Sequence, residues 1–277
     1  MTLTGADVRR LLAENGLAPS RARGQNFVAD PNTVRRVARL AEVGPGDKVV
    51  EIGAGLGSLT LALAATGAAV TAVEIDGGLV PVLRRVVEPA GVTVVEGDAL
   101  RLDWASLLDG TGWALVANLP YNVATPLIAD LLDGVPAISR MLVMVQREVG
   151  ERLAAHPGDE AYGAVSVKVA YWATAKVVGR VPPTVFHPVP KVESALVRIE
   201  RRPEPAVADE VDPAWLFRLV ATGFGQRRKM LRRSLGELVP PEAFPAAGIR
   251  PEARAEELSV EHWGRLAACT SNGPPPS

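Results

Sequence analysis

Between Lys48 and Val145 the chain alternates short apolar runs with segments of helical periodicity. The apolar runs have the length and composition of buried strands, and they are Lys48–Ile52, Ala69–Ile75, Val92–Glu96, Trp113–Ala117 and Ile138–Val145. Helical patterns separate several of them, at Ser58–Ala65, Leu79–Val87 and Pro126–Leu132. Strands that alternate with helices form a parallel sheet with helices on both faces. The sequence therefore predicts an α/β fold.

The flanking segments have different patterns. Residues 4–17 and 30–40 predict two short helices before the first strand. After the fifth strand, Lys176–Val181 and Ser194–Arg201 predict two more strands, separated by a proline-rich loop, and residues 214–269 are helical in pattern. We therefore expect three parts: a catalytic domain over residues 1–203 with an N-terminal helical and loop segment at 1–45, a helical domain over 204–270, and a disordered tail at 271–277.

Composition narrows the classes of protein that fit. The chain has 277 residues, 48% of them apolar, and a net charge of -1, so binding to nucleic acid would have to depend on local basic clusters. Cys269 is the only cysteine, which excludes an internal disulfide. His156, His187 and His262 lie far apart in the sequence, so their spacing predicts no metal site. No apolar stretch reaches membrane-spanning length, and we expect a cytoplasmic monomer.

A glycine-rich turn follows the first predicted strand, in the sequence Glu51-Ile-Gly-Ala-Gly-Leu-Gly57. Glycines let the backbone approach a ligand closely, and the following helix presents its N–H groups there. Glu74 ends the second strand, where a carboxylate can accept from both ribose hydroxyls. Asp98 ends the third, where it could accept from an adenine amino group. Taken singly, the glycines also fit a tight strand-to-helix turn, and the two carboxylates also fit solvated strand ends. Together, at these spacings, they favour a bound ligand.

The spacing also bears on the choice of ligand. Ser58 occupies the third glycine position of the dinucleotide pattern, so the turn departs from the usual NAD signature. Acidic residues at two successive strand ends suit a nucleoside that carries no pyrophosphate. S-adenosylmethionine fits that description, and NAD does not.

The fourth strand leads into Asn118-Leu119-Pro120-Tyr121, at the sheet edge where α/β proteins bind ligands. An exocyclic amine is a weak nucleophile because its lone pair is delocalised into the base. The Asn118 side-chain oxygen and the Leu119 carbonyl could each accept one N–H, which would direct the lone pair at a methyl donor. Pro120 stiffens the turn and Tyr121 can stack on the base. In isolation the same four residues fit an ordinary turn.

A base within a duplex cannot reach such a pocket, so the substrate would be single-stranded or flipped out. Phe186, in the loop between the last two strands, is the candidate for a second aromatic wall. An aromatic residue packed on the core is the equally plausible alternative.

The chain resembles the ribosomal RNA adenine dimethyltransferase family, and within it the small-subunit (16S), kasugamycin-sensitivity branch. The resemblance covers about residues 20–267. Five elements carry it: Gly24–Val28, Glu51–Gly57, Glu74–Asp76, Asn118–Tyr121 and Val185–Ser194. The segment Phe224–Leu235 is similar to the family's C-terminal helical segment, and Val28 stands where leucine or isoleucine is more usual.

The resemblance implies a Rossmann-like class I S-adenosylmethionine-dependent methyltransferase with a small C-terminal helical domain. It implies that the cofactor contacts are Asn26, Val28, Gly53, Gly55, Glu74, Asp98 and Asn118. It further implies transfer of two methyl groups to N6 of each of two adjacent adenosines, in the 3′-terminal hairpin loop of small-subunit RNA. The implied substrate is the assembling 30S particle, which suggests a role in ribosome biogenesis.

A cluster of cations lies in the predicted helical domain. It comprises Arg227, Arg228, Lys229, Arg232 and Arg233. At helical spacing these side chains would cover more than one face, so some should contact RNA phosphates. A solvated helix surface is the ordinary alternative.

Four other functions compete with this interpretation, and the first, an NAD-dependent oxidoreductase, is disfavoured by the spacing of the glycine turn. The large-subunit (23S) resistance branch shares the cofactor site, but Leu119 and the segment Gln226–Leu231 argue against it. A DNA adenine methyltransferase usually carries two prolines in its turn. A non-catalytic RNA-binding assembly factor could keep the fold, although the intact glycine turn, Glu74 and Asn118 argue for catalysis.

Overall fold

The computed structural model describes residues 2–20, 24–120, 123–207 and 210–270. They form two compact units, the first from residues 1–150 and 176–201 and the second from residues 151–175 and 202 onward. The prediction placed residues 151–175 in the first domain, but their contacts lie in the second unit. The tail 271–277 and Tyr121 lie outside the described residues.

The first unit contains most of the regular structure. Its helices are α1 (Gly5–Glu14), α2 (Pro31–Leu40), α3 (Ser58–Ala64), α4 (Val80–Val87), α5 (Trp104–Leu107) and α6 (Ala124–Gly134). Its strands are β1 (Phe27–Val28), β2 (Lys48–Ile52), β3 (Ala69–Glu74), β4 (Thr93–Glu96), β5 (Trp113–Asn118), β6 (Ile138–Gln146), β8 (Phe186–His187) and β9 (Ser194–Arg201). Two elements, α7 (Arg147–Leu153) and β7 (Ala173–Val181), cross the boundary between the units.

Seven of these strands form one sheet in the order β4-β3-β2-β5-β6-β9-β7. The first five are parallel to their neighbours, and β9 pairs antiparallel with β6. β3 lies on one side of β2 and β5 on the other, so the strand order reverses at β2. In open α/β sheets the ligand binds outside the carboxyl ends of the strands at such a reversal.

Burial on both faces explains why the strands read as continuous apolar runs. Val49 and Val50 of β2 are both fully buried, and β5 is buried from Trp113 to Ala117. Helix α2 begins where the Asp30 side chain accepts the Thr33 N–H at 2.8 Å, with Pro31 in its first turn. The predicted α/β sheet is confirmed, and the predicted strands agree with the observed ones to within a few residues.

The second unit is helical, and its helices are α8 (Ala164–Trp172), α9 (Pro213–Gly225), α10 (Leu231–Ser234), α11 (Ala243–Ala246) and α12 (Val260–Ala268). Leu216, Leu219 and Trp263 are fully buried in its core. Tyr171 of α8 meets Phe217 of α9 edge to face, with ring centroids 5.2 Å apart. The Tyr162 hydroxyl donates to the Leu258 carbonyl at 2.9 Å. These contacts hold residues 151–175 in the second unit.

Candidate functional site

Two adjoining pockets open at the carboxyl ends of the strands around the reversal. Gly53, Ile75 and Pro120 line both of them. The first pocket brings together six of the predicted residues: Asn26, Val28, Gly53, Gly55, Glu74 and Asn118. Asp98 lines the second. The structure therefore assembles in one place all seven residues predicted to contact the cofactor.

The glycine turn between β2 and α3 requires glycine for two reasons. Gly55 has φ 59° and Gly57 has φ 87°, in the left-handed region that side chains disfavour. A Cβ on Gly55 would also lie 3.0 Å from the Phe27 ring, and one on Gly57 would collide with Val87. Glycine at these two positions therefore lets the turn pack directly against Phe27 and Val87.

The Glu74 carboxylate holds this turn. Its Oε2 accepts the Gly55 N–H at 2.7 Å and its Oε1 accepts the Asp76 N–H at 2.9 Å. Burial raises the pKa of Glu74, and the two N–H donors oppose that shift. Each carboxylate oxygen can accept more than one hydrogen bond, so both retain capacity for ribose hydroxyls.

Asp98 lies in a mainly apolar pocket. Its Oδ1 accepts the Leu100 N–H at 3.0 Å. Two large apolar side chains at this pocket are exposed, Ile75 by 56% and Leu100 by 44%. An apolar slot with one carboxylate suits a purine ring that bears an amino group.

The Asn118 side chain is fixed by a contact distant in sequence. Its Nδ2 donates to the backbone carbonyl of Asn26 at 2.9 Å. Because a carbonyl can only accept, this contact defines which end of the amide carries the nitrogen. Among the described residues, none donates to Asn118 Oδ1, so this oxygen is available to accept from a ligand.

The two residues after Asn118 have distinct environments. Leu119 is 1% exposed, and its N–H donates to the Met144 carbonyl at 3.0 Å, which attaches the turn to β6. Within the described ranges no N–H donates to the Leu119 carbonyl. The Pro120 carbonyl, in contrast, accepts from Val123 and Ala124, both at 3.2 Å. The Leu119 carbonyl is therefore available to accept from a ligand, its role toward an amine stays a prediction, and Tyr121 lies outside the described residues.

Sequence reasoning missed Glu51, which lies at the start of the glycine turn. It is 2% exposed and lines the first pocket with Ser58. Burial, with a smaller contribution from Glu74, raises its pKa to about 8, so it is mostly protonated at neutral pH. Its Oε2 and the Ser58 hydroxyl are buried without a hydrogen-bond partner among the described residues, and the nearby Thr60 hydroxyl opposes the rise in the Glu51 pKa. The available signal was a carboxylate inside an otherwise apolar strand.

Phe186 is placed differently from its predicted position. It lies in β8, where it pairs with Val28 of β1, and it is 3% exposed within the core. It lines neither pocket, and its side chain belongs to the same apolar core cluster as Val28. Its role in stacking on the base stays a prediction. To stack on a base, the ring would have to move out of the core.

The cations of the second unit do not share one helix. Arg227, Arg228 and Lys229 lie in the turn after α9, and Arg232 and Arg233 lie in α10. Helix α9 ends at Gly225, and the buried Leu231 starts the next one, which breaks the predicted continuous helix.

These cations also differ in their partners. Arg227 pairs with Glu256 and donates to the Glu160 carbonyl at 2.8 Å. Arg232 approaches Glu252 at 3.4 Å. Arg228, Lys229 and Arg233 are exposed and contact no carboxylate in the part of the chain that the structure describes. These three are the cations most available to an anionic partner.

The sheet order, the glycine turn and the strand-end pockets define a Rossmann-like nucleoside-binding protein. Over residues 20–271 the sequence matches the ribosomal RNA adenine dimethylase family, and the chain belongs to that family. It is 49% identical to "Ribosomal RNA small subunit methyltransferase A" of Thermobifida fusca, over 96% of this chain and 95% of the relative. The protein of the same name from Streptomyces coelicolor is 47% identical, over 95% of this chain and 94% of that relative.

Solved structures agree on the fold. A dimethyladenosine transferase from Plasmodium falciparum superposes with a TM-score of 0.72 at 22% identity, over 86% of this chain and 94% of that one. The 23S rRNA methyltransferase ErmE superposes with a TM-score of 0.65 at 28% identity, over 89% of this chain and all of that one. In the described residues, no group of histidine, cysteine or acidic side chains could hold a metal, and no helix is long and apolar enough to cross a membrane.

Proposed function

We propose that this chain transfers methyl groups from S-adenosylmethionine to N6 of two adjacent adenosines in the 3′-terminal hairpin loop of small-subunit (16S) ribosomal RNA. The observation that carries the proposal is the Asn118 amide, whose nitrogen is held by the Asn26 carbonyl while its oxygen stays available at the pocket. The similarity to proteins named for the small subunit supports the choice of RNA.

The pocket residues fit the proposed cofactor. Glu74 would accept from the ribose hydroxyls, Asp98 from the adenine amino group, and the glycine turn would allow close approach of the backbone. Glu51 lines the same pocket as a further polar residue. When bound, S-adenosylmethionine supplies an electrophilic methyl group on sulfur.

The protein's own contribution to the reaction is to position the amine. In the first transfer, Asn118 Oδ1 would accept one N–H of the target adenine and the Leu119 carbonyl would accept the other. The methylated amine keeps one N–H for the second transfer, and one of these two acceptors would hold it. Two acceptors on one nitrogen draw it toward a tetrahedral geometry and direct its lone pair away from the base. Catalysis of this kind depends on fixed dipoles and orientation, and because the methylated nitrogen can release its proton to water, it needs no strong base.

We assign RNA binding to the second unit. Its exposed Arg228, Lys229 and Arg233 would contact phosphates, and Arg227 and Arg232 would contribute less because carboxylates already neutralise them in part. Under this proposal the substrate is the assembling 30S particle, and the chain works in the cytoplasm. Tyr121 would stack on the flipped base.

The test is transfer of labelled methyl from S-adenosylmethionine to small subunits that lack the modification, with large-subunit RNA alongside. Two methyl groups on N6 block base pairing, so reverse transcription should stop at the target adenosines. Label and a stop in the small-subunit 3′ hairpin are the expected result. Label confined to large-subunit RNA would replace the proposal with the resistance branch, whose RNA is the one named for ErmE. Cofactor binding with no label in either RNA would point to an assembly factor.

A further inference from the structure

The turn that leads into β1 contains a glutamine whose side-chain amide is used at both ends. Gln25 Oε1 accepts the Ser20 N–H at 2.8 Å, and Gln25 Nε2 donates to Asp76 Oδ2 at 2.8 Å. The Gln25 N–H also donates to the Ser20 carbonyl at 3.1 Å. The side chain therefore ties the N-terminal segment to the residue that lies two positions after Glu74.

Asp76 is itself held in place at the end of β3. Its Oδ1 accepts the Gly78 N–H at 3.1 Å, and its N–H donates to Glu74 Oε1 at 2.9 Å. Since Oδ1 is used within its own turn, Oδ2 is the oxygen that faces Gln25. The contact therefore has a defined polarity, with the glutamine as donor and the aspartate as acceptor.

The next residue after Gln25 supplies the carbonyl that holds the Asn118 amide. The Asn118 side-chain amide would have nearly the same shape if its oxygen and nitrogen exchanged places. That flip would point N–H groups at the substrate amine, whose own N–H groups need an acceptor. The Asn26 carbonyl prevents the flip only while it stays in line with Asn118 Nδ2. Its position depends on the turn that Gln25 anchors.

We propose that Gln25 and Asp76 are positioning residues that hold the Asn26 carbonyl against Asn118 and so keep Asn118 Oδ1 facing the substrate amine. The inference rests on the proposed methyl transfer. It adds that the Asn118 amide is held indirectly, through the Gln25–Asp76 hydrogen bond and the adjoining Asn26 carbonyl. Neither side chain is required to touch the substrate.

The polarity of the contact allows a rescue experiment. In Gln25→Glu two carboxylate oxygens would face each other, and in Asp76→Asn two N–H groups would face each other while Oδ1 keeps the Gly78 N–H. The double variant Gln25→Glu with Asp76→Asn restores one hydrogen bond in the reverse direction, since the introduced carboxylate could still accept from Ser20. A double-mutant cycle on these positions measures their coupling directly.

The measurements are the single-turnover rate of methyl transfer at saturating cofactor and RNA, and the equilibrium Kd for S-adenosylhomocysteine. We expect each single variant to lose about tenfold or more in rate, with a Kd within about threefold of wild type, and the double variant to recover most of the rate. Asp109→Asn, which removes an 82% exposed carboxylate paired with Lys48, is the matched control and should keep the wild-type rate.

Wild-type rates in both single variants would overturn the proposal, and so would a double variant slower than either single one. Thermal unfolding of all variants separates a lost fold from a misplaced amide, because a misfolded variant would also lose cofactor binding. Failure of the proposed function can be distinguished from failure of this inference. If the proposed function is wrong, the wild-type protein itself would leave small subunits unmethylated.

Discussion

The strand-end site of the first unit differs from the basic segment of the second, residues 227–233, in the burial and pairing of its polar groups. At the site, Glu74 is 4% exposed and the polar groups are held by hydrogen bonds of 2.7 to 2.9 Å. In the basic segment, Arg228, Lys229 and Arg233 are exposed and contact no carboxylate of the described residues. Fixed dipoles in a buried site act strongly on a reacting group, whereas exposed charges act weakly, over longer distances and with strong dependence on salt.

The difference predicts how each region responds to substitution. A single change at the site removes a contact that nothing else replaces, so the loss should be large and specific to one step. A single change in the basic segment removes one of several similar charges, so the loss should be small and graded. Substitutions in both regions therefore test the contrast.

Asn118→Ala should abolish most of the methyl transfer. Removing one preorganised acceptor from a reacting group typically costs about 10²–10³ in rate. Rapid-quench measurement of the single-turnover rate would check this, with Asp109→Asn as the control for a surface substitution. A rate near that of wild type would show that the Asn118 amide does not position the amine.

Glu74→Gln should weaken cofactor binding by about 10- to 100-fold, because a buried carboxylate that accepts two N–H groups is replaced by an amide with a single oxygen. Calorimetric titration with S-adenosylhomocysteine would measure the change. RNA affinity should remain that of wild type. A Kd for the cofactor equal to that of wild type would remove Glu74 from the proposed cofactor site.

Glu51→Gln should change the pH dependence of stability. Burial raises the Glu51 pKa from 4.5 to about 8, so between these values the native state keeps a proton that the unfolded state has lost. The free energy of unfolding contributed by this group is therefore present at low pH and falls as pH rises toward 8. The variant lacks this term and should gain about 1 kcal/mol or more relative to wild type between about pH 5.5 and 7.5.

Urea unfolding at those two pH values would give the comparison for Glu51. Parallel changes in the wild-type and variant proteins would mean that Glu51 is ionised at neutral pH. That result would contradict the assignment of a protonated Glu51. It would mean that the ionised carboxylate has a stabilising partner that the described residues do not include.

Replacing Arg228, Lys229 and Arg233 together by glutamine should produce a moderate effect at physiological salt, a loss of about tenfold in RNA affinity. The slope of log affinity against log salt should fall by about two. Filter binding across a salt series would measure both. Replacing the paired Arg227 and Arg232 instead should give a smaller change in slope, and an equal or larger change would contradict the distinction between paired and unpaired cations.

The two regions also differ in how far the sequence predicted them. Strands such as Lys48–Ile52 were predictable because burial on both faces leaves an unbroken apolar run. The glycine turn and the acidic strand ends were predictable because parallel strands bring their carboxyl ends to one edge of the sheet. The seven residues expected at the cofactor pocket do lie around the two adjoining pockets.

What the sequence did not predict depends on contacts distant along the chain. The hydrogen bond from Asn118 to Asn26 spans 92 positions, and no local pattern signals it. The packing of residues 151–175 in the second unit depends on contacts with residues beyond 202, such as that of Tyr162 with Leu258. The non-helical turn between Gly225 and Leu231 was not predicted, because the basic residues at 227–233 were interpreted as part of one helix.

The separation of chemistry from binding is tested most directly by comparing Asn118→Ala with the triple variant of Arg228, Lys229 and Arg233 in one set of measurements. For each, the Kd for cofactor, the Kd for small-subunit RNA and the single-turnover rate at saturation would be determined. We predict that Asn118→Ala keeps the Kd for RNA and loses the rate even when cofactor is saturating, while the triple variant loses RNA affinity and recovers the wild-type rate once RNA is saturating. A triple variant that stays slow at saturation, or an Asn118→Ala that binds RNA poorly but transfers methyl normally, would contradict that separation.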